Sequence, residues 1–287
     1  MRICFFNDQR LGLVDNNQVR DISEILKELP AHAYPYPRHD LLIAALPELH
    51  DKITALAATA PAIALDQVTL LSPVQNPGKI VAAPVNYQKH LEEAIEDTAT
   101  FSRAHVRKIQ ETGLFLKATH SLVGASEGIE LQLLERRTDH EIELAVIIGK
   151  TCRNVDYEDA LAQVAGYCIG LDITIRGPEE RSLRKSLDTY TVLGPWLVTA
   201  DELSDPSQLE MTLLVNDEQR QHANTRDLIL DVADLIVFAS KFYTLEPGDI
   251  LLTGTPEGVA PIHPGDKLCA SIDKIGTIDV EVKPIVS

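Results

Sequence analysis

Apolar residues in this chain fall mostly in short runs of roughly four to eight, bounded by glycine, proline, asparagine or aspartate, the pattern of strands rather than long helices. Arg2 to Phe6 and Leu11 to Val14 read as a hairpin, and Asn16-Asn17 turns the chain again before Val19 to Ile22. Ser23 is expected to cap a short helix from Glu24 to Leu29. Asp40 starts an Ala/Leu-rich helical region, broken near Pro47 and running to about Ala60, and Ile63 to Leu71 resembles a strand. Pro73 to Gly78 is a turn-rich joint. The pattern therefore predicts a small α+β N-terminal domain, residues 1–72, and a larger domain, residues 73–287.

Beyond the joint the runs come quickly. Lys79 to Ala83, Leu114 to Lys117, Ile129 to Leu134, Ile142 to Gly149 and Val164 to Leu171 all read as strands. Met211 to Val215 and Gln219-Arg220 form a hairpin about Asn216-Asp217, and three more strands follow between Asp249 and Val282. Helical periodicity is confined to a polar segment ending at Gly113, to Tyr157–Gln163, and to Leu228–Tyr243, which is apolar at 228, 232, 235, 236 and 239. The fold class is β-rich α+β, a roll or sandwich with some helical cover. Within the polar segment, residues 94–112 read either as a solvated amphipathic helix or as a lid that closes over a site.

One stretch changes this picture. In Thr138-Asp-His-Glu-Ile-Glu-Leu-Ala-Val-Ile-Ile-Gly149, strand alternation puts Glu141 and Glu143 on one face, ahead of Ala145 and Ile147. Two carboxylates roughly 7 Å apart beside an apolar run are costly to bury without a positive partner. A third acid, Asp172, ends the apolar run Val164–Leu171. Asp172 alone reads as readily as a turn or helix cap, and the glutamates as a solvated strand end. Three carboxylates with no ligating cysteine nearby suit a hard, oxygen-loving divalent ion: magnesium, or manganese or calcium, rather than zinc. A second pair, His90 and Glu93, is spaced to share a helix face, where the carboxylate would fix the imidazole tautomer and raise its basicity for general-base work. A lone histidine near a helix start is more often a surface or capping group.

Charge and cysteine usage narrow the partners. Lys plus Arg number 26 against 43 Asp plus Glu, a net charge of −17, which disfavours nucleic acid and anionic membrane surfaces. No apolar stretch is long enough for a membrane span, and the run after Met1 is too short for a signal peptide. Cys4, Cys152, Cys168 and Cys269 are scattered without metal spacing and read as free thiols of a reducing compartment, so the expected location is cytoplasmic.

Several motifs then line up in order: Asn86-Tyr-Gln-Lys-His90-Leu-Glu-Glu93, Phe115-Leu-Lys117, Ser121-Leu-Val-Gly124, His140-Glu-Ile-Glu-Leu-Ala-Val-Ile-Ile-Gly-Lys150, Gly170-Leu-Asp172, Lys185-Ser-Leu-Asp-Thr, Leu193-Gly-Pro-Trp-Leu-Val-Thr199, Leu245-Glu-Pro-Gly-Asp249 and Thr253-Gly-Thr-Pro-Glu-Gly258. By these the chain resembles the fumarylacetoacetate hydrolase family over about residues 78 to 284. The resemblance implies a mixed β-roll or β-sandwich of the fumarylacetoacetate hydrolase C-terminal type, a homodimer, and a divalent metal on Glu141, Glu143 and Asp172. It implies His90 as the catalytic histidine with Glu93 as its acidic partner, Lys185 as the site lysine, and Arg176 and Thr255 as substrate-binding groups. The sequence departs from the family pattern at Arg176-Gly-Pro-Glu179, where Arg-Asp-x-Gln is common, and at Ala118, His120 and His140. A glutamate at 179 would disfavour a negative group beside it, and His140, on the face opposite the glutamates, reads as packing rather than ligand.

The resemblance implies metal-assisted hydrolysis of a carbon–carbon bond in a 2-oxo or β-diketo acid, such as an acylpyruvate or fumarylpyruvate-like substrate. The metal would stabilise an enolate and His90 would activate water. A decarboxylase of an oxaloacetate-like acid, or an isomerase or hydratase of a dienoate from aromatic catabolism, would share the same metal set. An inactive metal-binding scaffold is the reading from another class.

Overall fold

In the computed structural model, which describes residues 1–96 and 109–284, three long strands form the spine of the largest sheet. Ile142–Ile148 and Thr191–Thr199 are buried at every position, and Val164–Asp172 at all but one. Residues that face protein on both sides need apolar side chains on both, which is why these strands read as continuous apolar runs rather than alternating ones. Val164–Asp172 lies between the other two and is antiparallel to each. Ile250–Leu252 pairs with the free flank of Ile142–Ile148, followed by Ile80–Ala82 in parallel and Phe115–Lys117. A second, five-stranded sheet is built from Glu210–Val215, Glu218–Asn224, Lys267–Ile272, Gly276–Pro284 and Ile129–Leu131. The result is the mixed, strand-rich roll expected of the sequence.

Residues 1–72 extend the same sheet. Arg2–Phe6 pairs antiparallel with Thr191–Thr199, placing Ile3 opposite Leu197. The helix Leu41–Thr59 buries Leu42, Leu46, Leu49, Ile53 and Ala57, one stripe at helical spacing, in a core that also holds Ala145, Ile147 and Leu252. Asp40 caps it, accepting from Leu42 N and Ile43 N at 3.0 Å each.

Three local expectations are corrected. The helix runs unbroken through Pro47, whose ring sits on the exposed face while the buried stripe continues on either side. Ser23 is not a cap; its hydroxyl serves Leu11 N and Asp21, and the helix over Ser23–Glu28 is 3-10. The expected strand Ile63–Leu71 divides into Ala62–Ala64, a 3-10 turn and Leu70–Leu71. Of the 94–112 segment, the helix Gln88–Glu96 and the turn Ile109–Thr112 are described; residues 97–108, with the proposed lid, lie outside the described residues.

The helix expected from Leu228 begins instead at Val232, capped by Asp231. Asn86 explains the difference. It is fully buried, and its amide donates to Leu230 O at 2.9 Å and to Thr253 O at 2.8 Å while accepting from Leu230 N at 2.8 Å. That grip holds the chain in a non-helical bend before the helix and fixes the approach to His90. Asn86→Ala leaves three backbone groups, Thr253 O buried and the two of Leu230 partly buried, without this partner. It is expected to cost roughly 2–4 kcal/mol, read as a lowered midpoint with unchanged slope in urea unfolding.

Candidate active site

The strand register brings the acids together. Glu143 lies opposite Gly170, and Asp172 N donates to Glu141 O at 2.9 Å, so Asp172 faces Glu141 across the ladder and Glu143 on the diagonal. All three are buried, and each offers a carboxylate oxygen within 4.8 Å of the others. A Cβ at 170 would come 2.8 Å from the Cδ2 methyl of Leu252, so a larger residue there would have to displace that buried side chain.

Such a concentration of negative charge in a buried place needs cations. Lys185 lies at the end of the short helix Arg181–Arg184, and its ammonium donates to Glu141 Oε2 at 2.7 Å, Asp172 Oδ2 at 2.6 Å and Thr174 Oγ1 at 2.6 Å. Arg176 donates to Glu141 Oε1 at 3.0 Å and to the buried Asp139 at 2.7 Å. Lys117, fully buried, is bonded to Asp172 Oδ1 and donates to Tyr190 O at 2.7 Å. The motif Phe115-Leu-Lys117 assigns Lys117 no role by itself. The fold makes Phe115-Leu-Lys117 buried, exposed, buried, which puts Lys117 on the inner face of its strand, where a lysine needs an acid.

The two glutamates titrate apart. Burial alone would raise Glu141, but the charges of Lys185 and Arg176 outweigh it and bring its carboxyl down to about 2. Glu143 is raised well above the ordinary range by burial and then by the charge of Asp172. Its Oε2 accepts from Gly254 N at 2.6 Å, in the loop that follows Ile250–Leu252.

That loop carries the second part of the site. His90, on the helix Gln88–Glu96, is buried, and its Nδ1 is 2.9 Å from Glu93 Oε2. The other Glu93 oxygen accepts from Gly258 N at 3.0 Å. The loop between Thr253 and Gly258 is thus tied to Glu143 at one end and to Glu93 at the other. Thr255 is buried in the same loop, its hydroxyl accepting from Gln221 Nε2 at 2.8 Å; it makes no hydrogen bond to the three acids. Gln221 Oε1 also meets His140 Nδ1 at 3.0 Å and Ile142 N at 3.1 Å. Burial pushes His140 below its ordinary value, which suits a neutral packing group on the opposite face. Glu179 forms a bidentate pair with Arg136, both bonds 2.8 Å, so its charge is already answered.

The donor set fits a hard divalent ion: three buried carboxylates, oxygen only, with neither thiolate nor imidazole in the cluster. Fold and cluster together are those of a divalent-metal enzyme. More closely, the chain belongs to the fumarylacetoacetate hydrolase family, whose model, fumarylacetoacetate (FAA) hydrolase C-terminal, matches residues 79–283. It is 54% identical to the maleylpyruvate hydrolase of Aquipseudomonas alcaligenes over 99% of this chain and 100% of that protein. It is 37% identical to the mitochondrial oxaloacetate tautomerase Fahd2a of Rattus norvegicus, covering 78% of this chain and 72% of that one. Among solved structures it matches maleylpyruvate hydrolase from Sphingobium sp. SYK-6 in complex with manganese(II) ion and pyruvate, with 40% identity, a TM-score of 0.84 and 99% of each chain covered.

A raised Glu143 means that the metal-free folded protein holds more protons than the unfolded chain across that range, so its stability falls as pH rises through it. A bound cation displaces that proton. Adding manganese to the demetallated protein is therefore expected to raise the melting temperature by more at about pH 8 than at about pH 5, and Glu143→Gln should remove most of this pH dependence.

Proposed function

We propose that the protein cleaves the carbon–carbon bond of an acylpyruvate, taking up water and releasing pyruvate and a second acid. The observation that carries this reading is the tie between the carboxylate trio and the His90–Glu93 pair, made by one loop through Glu143 and Glu93. Glu141, Glu143 and Asp172 would hold the divalent ion. When bound there it supplies a Lewis acid for the 2-oxo carboxylate end of the substrate and for the negative charge that develops on it. Manganese in the related Sphingobium structure supports a divalent ion of this kind; we take magnesium as the working ion, with manganese or calcium as alternatives.

His90, its tautomer fixed by Glu93, takes the proton of a water placed against the far carbonyl. The new carbon–oxygen bond forms, the bond to the pyruvate methylene breaks, and the electron pair is left on the pyruvate fragment, which is protonated at carbon. Lys185 is our candidate for steadying the oxyanion. Its three N–H donors are engaged by Glu141, Asp172 and Thr174, so that contact requires one of them to be exchanged. Arg176 is braced by Asp139 and keeps Glu141 in place. Thr255, held by Gln221, lies in the loop that would border the substrate. One such donor is worth about 2–4 kcal/mol of barrier.

We read residues 1–72 as a leading module that backs the central sheet, and the working form as a homodimer in the cytoplasm. Among the described residues, no helix is long and apolar enough to cross a membrane, and Cys4, Cys152, Cys168 and Cys269 are free thiols. A second reading, keto–enol tautomerisation of an oxaloacetate-like acid, draws support from the Fahd2a relative. It needs proton transfer without an attacking water. Mass spectrometry of the products separates the two, since hydrolysis alone yields two acids.

His90→Ala is expected to lower the rate of pyruvate release by about 10²–10⁴-fold while manganese still raises the melting temperature. Unchanged turnover would remove His90 from the reaction.

A further inference from the structure

The second sheet sends one buried polar side chain toward the loop that joins the acids to His90. In Glu218–Asn224 the first three residues and His222 are exposed, yet Gln221 is only 1% exposed. The pairing with Glu210–Val215 accounts for this. Leu213 faces Gln221 and Leu214 faces Gln219, so Arg220 is an extra residue with nothing opposite it. A bulge of this kind re-aims the side chain beside it. The strand is also pressed against the loop, since a Cβ at Gly258 would come 2.2 Å from Arg220 O.

The amide of Gln221 can point only one way. Ile142 N donates to one end at 3.1 Å, so that end is the oxygen. Pro256 O accepts from the other at 2.9 Å, so that end is the nitrogen. His140 Nδ1, 3.0 Å from the oxygen, must then carry a hydrogen. The second N–H of the amide goes to Thr255 Oγ1 at 2.8 Å. Thr255 therefore accepts from Gln221, and its own hydrogen has to point elsewhere. Thr255 is buried, and among the described residues no acceptor takes that hydrogen. Its neighbour Gly254 donates to Glu143, which sets Thr255 one residue from the acid cluster.

We propose that Gln221 is a positioning residue: by filling the acceptor side of Thr255 it turns the hydroxyl hydrogen toward the bound 2-oxo acid. A hydroxyl free to rotate meets a ligand oxygen with either its hydrogen or its lone pairs; held this way, Thr255 offers only the hydrogen. Ile142 N and His140 brace the amide from the other end, so its orientation is set before any ligand arrives. The inference rests on the acylpyruvate reading above and adds to it the group that orients Thr255.

The test is a double-substitution cycle on Gln221→Glu and Thr255→Val. Glutamate keeps the size and still accepts from Ile142 N and His140, but it presents an oxygen to Thr255, whose hydroxyl then donates back into the protein. Affinity for oxalate is read by calorimetry on the manganese-loaded protein, and kcat and KM by pyruvate release from maleylpyruvate and acetylpyruvate. Each single substitution is expected to weaken oxalate binding by about 10–100-fold, the size of a hydrogen bond to a charged acceptor. In the Thr255→Val background, Gln221→Glu should cost about tenfold less than it does alone. Direct repulsion between the new carboxylate and the ligand is present in both backgrounds and cancels. Thr255→Ser, which keeps the hydroxyl, should stay within about threefold of the unsubstituted protein. Equal costs in the two backgrounds, as a plain prop of the loop would give, overturn the proposal, and so does unchanged oxalate affinity in Gln221→Glu. If Gln221→Glu does not fold, Gln221→Met carries the same cycle under the same rule. Failure of the acylpyruvate reading looks different: neither acylpyruvate yields pyruvate, while the oxalate cycle still reports on Gln221.

Discussion

Everything in this site follows from placing three carboxylates within 4.8 Å of one another in a buried position. Moving a single carboxylate out of water costs several kcal/mol, and three together add mutual repulsion. No one element of the fold could supply the compensation. Lys117 comes from the strand Phe115–Lys117, Lys185 from the end of a short helix, Arg176 from just beyond the strand Thr174–Ile175, and Gly254 N from a loop. The packing of these elements is therefore coupled to the charge of the acids. The unbroken apolar strands behind the cluster hold these elements in place.

Those strands also set the geometry. The pairing of Glu143 with Gly170 and of Glu141 with Asp172 makes the cluster a consequence of register. A slip of one residue would turn all the side chains of one strand to the other face and leave the acids among Leu144 and Val146. The apolar face that continues from Glu143 through Ala145 and Ile147 is covered by the helix Leu41–Thr59 and its neighbours. In this sense the leading 72 residues help to hold the register, since they pack against Ala145 and Ile147 in the pairing observed.

How much of this was legible in the sequence varied with the kind of signal. The strands carrying the acids could be read because continuous β-branched runs have few alternatives, and alternation alone placed Glu141 and Glu143 together. The His90–Glu93 pair followed from helical spacing, and the order of nine motifs gave the family. Lys117 was missed because a lysine in a three-residue strand looks like any surface lysine until its partner across the fold is known. The start of the helix at Val232 was missed for a related reason: Asn86, far away in sequence, holds residues 229 and 230 in a non-helical bend. Pro47 misled in the other direction, since a helix tolerates a proline whose ring faces solvent when the opposite face is well buried. Glu179 looked like a hindrance to an anion because Arg136 lies 43 residues earlier, in a loop without periodicity.

The same frame also bears on why related proteins can run different reactions. A carboxylate trio that holds a 2-oxo acid and steadies negative charge next to its carbonyl serves hydrolysis, decarboxylation and tautomerisation alike. What distinguishes hydrolysis is a base held at a fixed distance from that trio, able to present water rather than only to exchange a proton. Here the distance is set by a backbone loop, with Gly254 N on Glu143 and Gly258 N on Glu93. Backbone donors do not change when side chains in the loop do, so the placing of the His90–Glu93 pair relative to the acids does not depend on the side chains of that loop. A family built this way would be expected to alter its chemistry through what borders the substrate and through the groups on the helix of His90, and to leave the loop's backbone path alone.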